Sequence, residues 1–146
     1  MKWVLFLIVI CPLFLTACLV ASEPAEIQII EGYVIEKKND RILVAETNYS
    51  SVYFTGADDD VLVGDFVGVE HDYMLDSDPG QSHALSVDVL NREHQTAIKE
   101  AIEKFREEHG TVYAVSEVET QEGYTLVRIF GEEDGTEIKQ TYEIYN

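Results

Sequence analysis

The chain has 146 residues, 28 acidic against 10 basic, and a formal net charge of −18. A body this acidic repels nucleic acid and anionic lipid headgroups, which sets nucleic-acid partners aside. It has only 2 cysteines, at positions 11 and 18, too few for a disulfide scaffold or a cysteine metal cluster.

Met1-Lys2 opens the chain with one positive charge, and Trp3 to Leu15 is apolar apart from Cys11 and Pro12. A short apolar run that closes on small residues is an export signal rather than a fold element. Its end, Leu15-Thr16-Ala17-Cys18, has a branched apolar residue, two small residues and a cysteine. That resembles the lipobox of bacterial lipoproteins. The resemblance implies a signal peptide over 1–17, removed to leave Cys18 first in the mature chain, with diacylglycerol on its sulfur. Two other readings stay open. Cleavage after Ala21 would release a secreted protein, although Leu19 then stands where a small residue is preferred. Uncleaved, Trp3 to Ala21 is just long enough to cross a bilayer. All three put the body on the extracytoplasmic side, and the lipobox reading holds it on the cell membrane. On that reading no cofactor is expected beyond the lipid, and the mature body carries no free thiol.

Residues 18–26 read as a tether, polar from Ala21 to Glu26 and containing Pro24. At about 3.3 Å per residue, Ala21 to Glu26 keeps the body close to the headgroups. Strand patterns then begin. Ile27 to Glu36 is rich in β-branched and aromatic residues, and Lys37-Lys38-Asn39-Asp40 turns it into a second strand, Arg41 to Glu46. Ser51 to Thr55 is a third, and Phe66 to Glu70, after the Gly64-Asp65 turn, a fourth. His83 to Leu90 alternates as a fifth. Gly32 and Gly68 lie inside strands, where glycine marks a bulge or a bend. Five short strands with turns between them predict a small closed barrel over 27–90, able to stand alone.

The pieces Glu31-Gly32-Tyr33-Val34-Ile35-Glu36-Lys37, Arg41-Ile42-Leu43-Val44, Val52-Tyr53-Phe54, Val63-Gly64-Asp65-Phe66-Val67-Gly68-Val69 and Ser77-Asp78-Pro79-Gly80-Gln81 occur in that order. As a set they resemble the YobA-like family of Gram-positive lipoproteins, over less than half of the chain. The resemblance implies an OB-like β-barrel with no assigned activity. One departure is that the strand after Gly64 carries no lysine, where such proteins usually have several.

From Asn91, a candidate N-cap, Arg92 to Glu108 reads as a helix. Ala97, Ile98, Ala101, Ile102 and Phe105 form its apolar stripe, and Gly110 its stop. Strands over Thr111 to Thr120, Tyr124 to Phe130 and Thr136 to Tyr145 follow as a three-stranded antiparallel meander. The fold class expected is therefore α+β: an OB-like five-stranded barrel over 27–90, then a helix and meander over 91–146.

Site signals are sparse. Between Arg41 and Arg92 there is no lysine or arginine, while ten acids occur. OB-type barrels that hold nucleic acid combine aromatics with a basic groove. Here Tyr33, Tyr53 and Phe66 offer aromatics for a binding surface, but the basic half is missing. Asp58-Asp59-Asp60 and Asp76-x-Asp78 are candidate calcium ligands, although a full EF-hand loop needs more spaced ligands and a closing glutamate. A solvated loop is the default for both. The four histidines lack metal spacing and read as surface or turn residues. Function is thus expected to be non-catalytic binding of a protein or cell-envelope component by a membrane-anchored lipoprotein. The alternatives are a carboxylate-dependent enzyme acting on an envelope substrate and a calcium-responsive accessory protein.

Overall fold

The structure, a computed structural model, describes residues 26–146. The leader, its lipobox and Cys18 lie outside the described residues. No helix among those described is long and apolar enough to cross a membrane.

Strands β1 (Gln28–Lys38), β2 (Arg41–Ala45) and β3 (Ser51–Thr55) run as antiparallel neighbours. Asn39 makes the tight β1–β2 turn with φ 56°, a left-handed conformation that asparagine tolerates. On the other side of β1 lies β4 (Phe66–His71), and beyond it β6 (Ser86–Asn91), both antiparallel. β5 (Gly80–His83) pairs in parallel with β3. The order is β5-β3-β2-β1-β4-β6.

This overturns the expected five-stranded OB-like barrel. A closed barrel needs its last strand to pair on both sides. The single strand expected over His83 to Leu90 is instead broken at Ala84-Leu85, so β5 serves one edge and β6 the other. The Ala84 amide donates to Thr55 O (2.9 Å) and the Leu85 amide to Glu70 O (2.8 Å). Consecutive amides thus reach β3 and β4, and the sheet curls without closing. Strands make up 57 % of the structure, so the class is mostly β rather than α+β.

The inner face of this sheet buries Val34, Ile42, Val44, Val52, Phe54, Val67 and Val69 in one core. At Gly32 any β-carbon would collide with the Ala45 carbonyl, so glycine is what lets β1 and β2 approach there.

Helix α1 (Gln95–Glu108) begins three residues later than the sequence predicts. Asn91 ends β6 instead of capping the helix; its Oδ1 accepts from the Glu93 amide (2.8 Å). Next come β7 (Thr111–Gln121), β8 (Tyr124–Glu133) and β9 (Thr136–Tyr145), an antiparallel sheet in sequence order. The helix stripe Ala97, Ile98, Ala101, Ile102 and Phe105 meets Val112, Ala114, Val127, Ile129 and Ile144 in a second core. Gly131 admits the Phe105 ring, because a β-carbon there would strike both that ring and the Thr111 carbonyl.

Three residues of the first sheet, Ile35, Leu43 and Ala45, belong to this second core. Strand β2 is therefore buried on both faces: Ile42 and Val44 point into the first core, Leu43 and Ala45 into the second.

Candidate functional site

Three local devices aim side chains into the space between the two sheets. The first is a bulge in β1. The β1–β2 register shifts between Val34 and Glu36, so Glu36 opposes Leu43 and shares its outward face. The second is plain alternation in β3, where Val52 and Phe54 point to the core and Tyr53 away from it. The third is a bulge in β7. Val112 pairs with Gly131 and Ala114 with Phe130, leaving Tyr113 as the extra residue.

The result is a cleft of about 710 Å³ between the sheets. Leu43 and Val112 are among its apolar lining; Tyr49, Tyr53, Tyr113 and Phe130 are its aromatics. Phe130 sits between two tyrosines, its ring centre 4.5 Å from Tyr49 and 5.9 Å from Tyr113. Two rings already carry a cation. The Arg41 guanidinium lies 3.7 Å from the centre of the Tyr53 ring. Lys139 Nζ lies 5.7 Å from that of Tyr49 and donates to its hydroxyl (3.4 Å).

The charged lining is Glu36, Asp78, Arg106 and Glu137. Arg106 is engaged within the chain: it donates to Ile35 O (2.8 Å) and lies 3.9 Å from Glu36. Asp78 and Glu137 have no ion-pair partner among the described residues. The Tyr113 hydroxyl is pushed above the ordinary tyrosine range, first by its hydrogen bond to Glu132, then by burial and by the charges of Glu132, Asp78 and Glu137. Asp78 comes from the first half of the chain and Glu137 from β9, so carboxylates from both sides act on one hydroxyl.

Of the aromatics singled out in the sequence, Tyr53 alone lines this cleft. Tyr33 and Phe66 are a cross-strand pair on β1 and β4, edge to face at 4.9 Å, and Tyr33 packs half-buried against the second core. The aspartates separate as well. Asp58, Asp59 and Asp60 are exposed, and their loop is held through its backbone by Lys37. Lys37 Nζ donates to Asp58 O (2.8 Å), Asp59 O (3.0 Å) and Val61 O (2.6 Å). Asp76 and Asp78 are exposed, and only Asp78 reaches the cleft. Among the described residues no three histidine, cysteine, aspartate or glutamate side chains gather as a metal set.

Two buried polar groups lie elsewhere. His71, read as a surface or turn histidine, is fully buried; its Nδ1 bonds to Tyr73 O (2.9 Å), its ring packs on Phe54, and its Nε2 lacks a partner. Asp65 is also fully buried. Arg92 grips it with Nε on Oδ1 (2.9 Å) and Nη2 on Oδ2 (2.7 Å), and also reaches Asp60 O (2.7 Å).

Sequence reasoning missed Tyr49, Tyr113, Phe130, Arg106 and Glu137. Nothing local links the β2–β3 loop to β8, and a bulge leaves no mark in a strand-like run.

No family model matches the chain, and neither does any curated protein or solved structure. The YobA-like resemblance of the first half gains no support there.

Proposed function

We propose that the chain is a lipid-anchored extracytoplasmic binding module that holds a protein or cell-envelope component without transforming it. The observation that carries this reading is the cleft of about 710 Å³ with its four aromatic side chains. That volume falls within the range of ligand sites, and aromatic residues are the commonest anchors of binding surfaces. The lipobox supports the anchor: diacylglycerol on Cys18 would hold the body at the membrane, because two acyl chains suffice for stable attachment. The YobA-like resemblance agrees with such a surface lipoprotein.

The test is cross-linked capture from intact cells of the producing bacterium with the full-length protein. Tyr53→Ala with Tyr113→Ala should lose the cross-linked partner while keeping its circular dichroism. Cys18→Ala should lose the incorporated fatty acid and leave the membrane fraction. A folded cleft variant that captures the same partner undiminished overturns the cleft as the site. Fatty acid retained by Cys18→Ala overturns the anchor.

A further inference from the structure

Resting on that reading of the cleft, we infer that it grips a cationic side chain, the ammonium of lysine or the guanidinium of arginine on a partner's peptide segment, between the Tyr113–Phe130 rings and the carboxylates of Asp78 and Glu137. Four observations converge on this. Of the cations at the cleft, Arg106 in its lining is committed to Ile35 O and Glu36, and Arg41 and Lys139 lie on the Tyr53 and Tyr49 rings. Asp78 and Glu137 remain without ion-pair partners among the described residues. A neutral apolar occupant would strip water from both carboxylates and return nothing, whereas a cation satisfies them.

The rings supply the third observation. In this molecule Tyr53 holds a guanidinium and Tyr49 an ammonium, so the wall is already used for cation–π contacts. Among the described residues no cation lies over Tyr113 or Phe130, which are adjacent at 5.9 Å. The fourth is the field. The negative charges of Asp78 and Glu137 both reach the Tyr113 hydroxyl. A net charge of −18 draws a basic segment toward the body before any contact is made.

The experiment titrates the lipidated protein, in zwitterionic micelles at about 0.1 M salt, where exposed charges more than about 10 Å apart are screened, with a blocked peptide Ala-Lys-Lys-Ala. A second peptide carries norleucine at both lysine positions, keeping the length and losing the charge. The lysine peptide should bind and shift the amide resonances of Tyr113 and Phe130, with norleucine at least about tenfold weaker. Asp78→Asn with Glu137→Gln should weaken lysine binding about tenfold and Tyr113→Leu several-fold. Asp58→Asn with Asp59→Asn removes the same charge away from the cleft and should change it less than about twofold. Equal binding of the two peptides, no binding of the lysine peptide, or an equal loss in the Asp58 and Asp59 variant overturns the inference. Free spermidine that matches the peptide at the same residues overturns its peptide part. Should the lysine peptide fail while cleft variants still lose the captured partner, the cation is wrong and the binding module stands.

Discussion

Tyr49, in the β2–β3 loop, lays its ring on Phe130 of β8, with ring centres 4.5 Å apart and planes inclined at 49°. This contact ties the tip of a first-sheet hairpin to the second sheet, and both residues line the cleft. Tyr49 holds it with φ 72°, a left-handed conformation that costs a tyrosine energy and persists only where surrounding contacts impose it. A double-mutant cycle of Tyr49→Ala and Phe130→Ala should give a coupling of about 0.5–1.5 kcal/mol in urea unfolding. Strictly additive losses would mean that the hairpin is not clasped.

Asp65 and Arg92 fasten the loop before β4 to the chain just ahead of α1. Removing the arginine strands a buried carboxylate, to which only the Leu62 backbone amide still donates (2.8 Å) among the described residues. The exposed pair Lys104–Glu100 (2.9 Å) offers the comparison, since such helix pairs contribute only about 0.3–0.5 kcal/mol. Arg92→Ala should therefore lower the urea midpoint well beyond Lys104→Ala, because an unpaired buried charge is costly. Matching midpoints would show that Asp65 finds water or another donor.

Much of this could be read in the sequence, and particular residues show where reading stopped. Asn39-Asp40 marked the first hairpin, and the stripe from Ala97 to Phe105 marked the helix. The break at Ala84-Leu85 could not be seen, since Leu85, Val87 and Val89 alternate as one strand would. What splits them is tertiary: Thr55 and Glu70 each claim one of two consecutive amides. Ile42-Leu43-Val44-Ala45 did carry a signal, because an unbroken apolar run suits a strand buried on both faces. The stretch between Arg41 and Arg92 looked bare of cations, yet Lys37 and Arg92, from just outside it, fold onto its loop. Linear spacing misleads most where the chain doubles back.

Four tyrosines, Tyr33, Tyr113, Tyr142 and Tyr145, have hydroxyls shifted upward. Tyr142 is shifted most, by burial of its ring and then by its hydrogen bond to Glu108 (2.7 Å). The unfolded chain releases such protons near about pH 10, and the folded chain later. Below that pH both states are protonated and the groups add no pH dependence. Above it the unfolded state binds fewer protons, so stability falls as pH rises. The urea midpoint should decline between about pH 9 and pH 11, less steeply for Tyr142→Phe than for the parent. An identical slope in that variant would show that Tyr142 ionises alike in both states.

The first sheet, read in the sequence as a barrel that stands alone, should not fold by itself. Its two ends, β5 and β6, meet through Ala84-Leu85 without pairing, so the argument from closed edges is gone. Its outward face carries Ile35, Leu43 and Ala45, all buried only because α1 and the second sheet cover them. A fragment ending at Asn91 would expose these three and leave Asp65 buried without Arg92. In the whole chain Ile35→Ala should cost about 2–5 kcal/mol, as for other buried aliphatic truncations, and both halves should melt in one transition. The fragment 27–91 should show weak strand-type circular dichroism, bind a hydrophobic dye and unfold without a cooperative step. A sharp, reversible transition in the fragment, with no dye binding, would mean that the first core suffices and that the second is docked onto it.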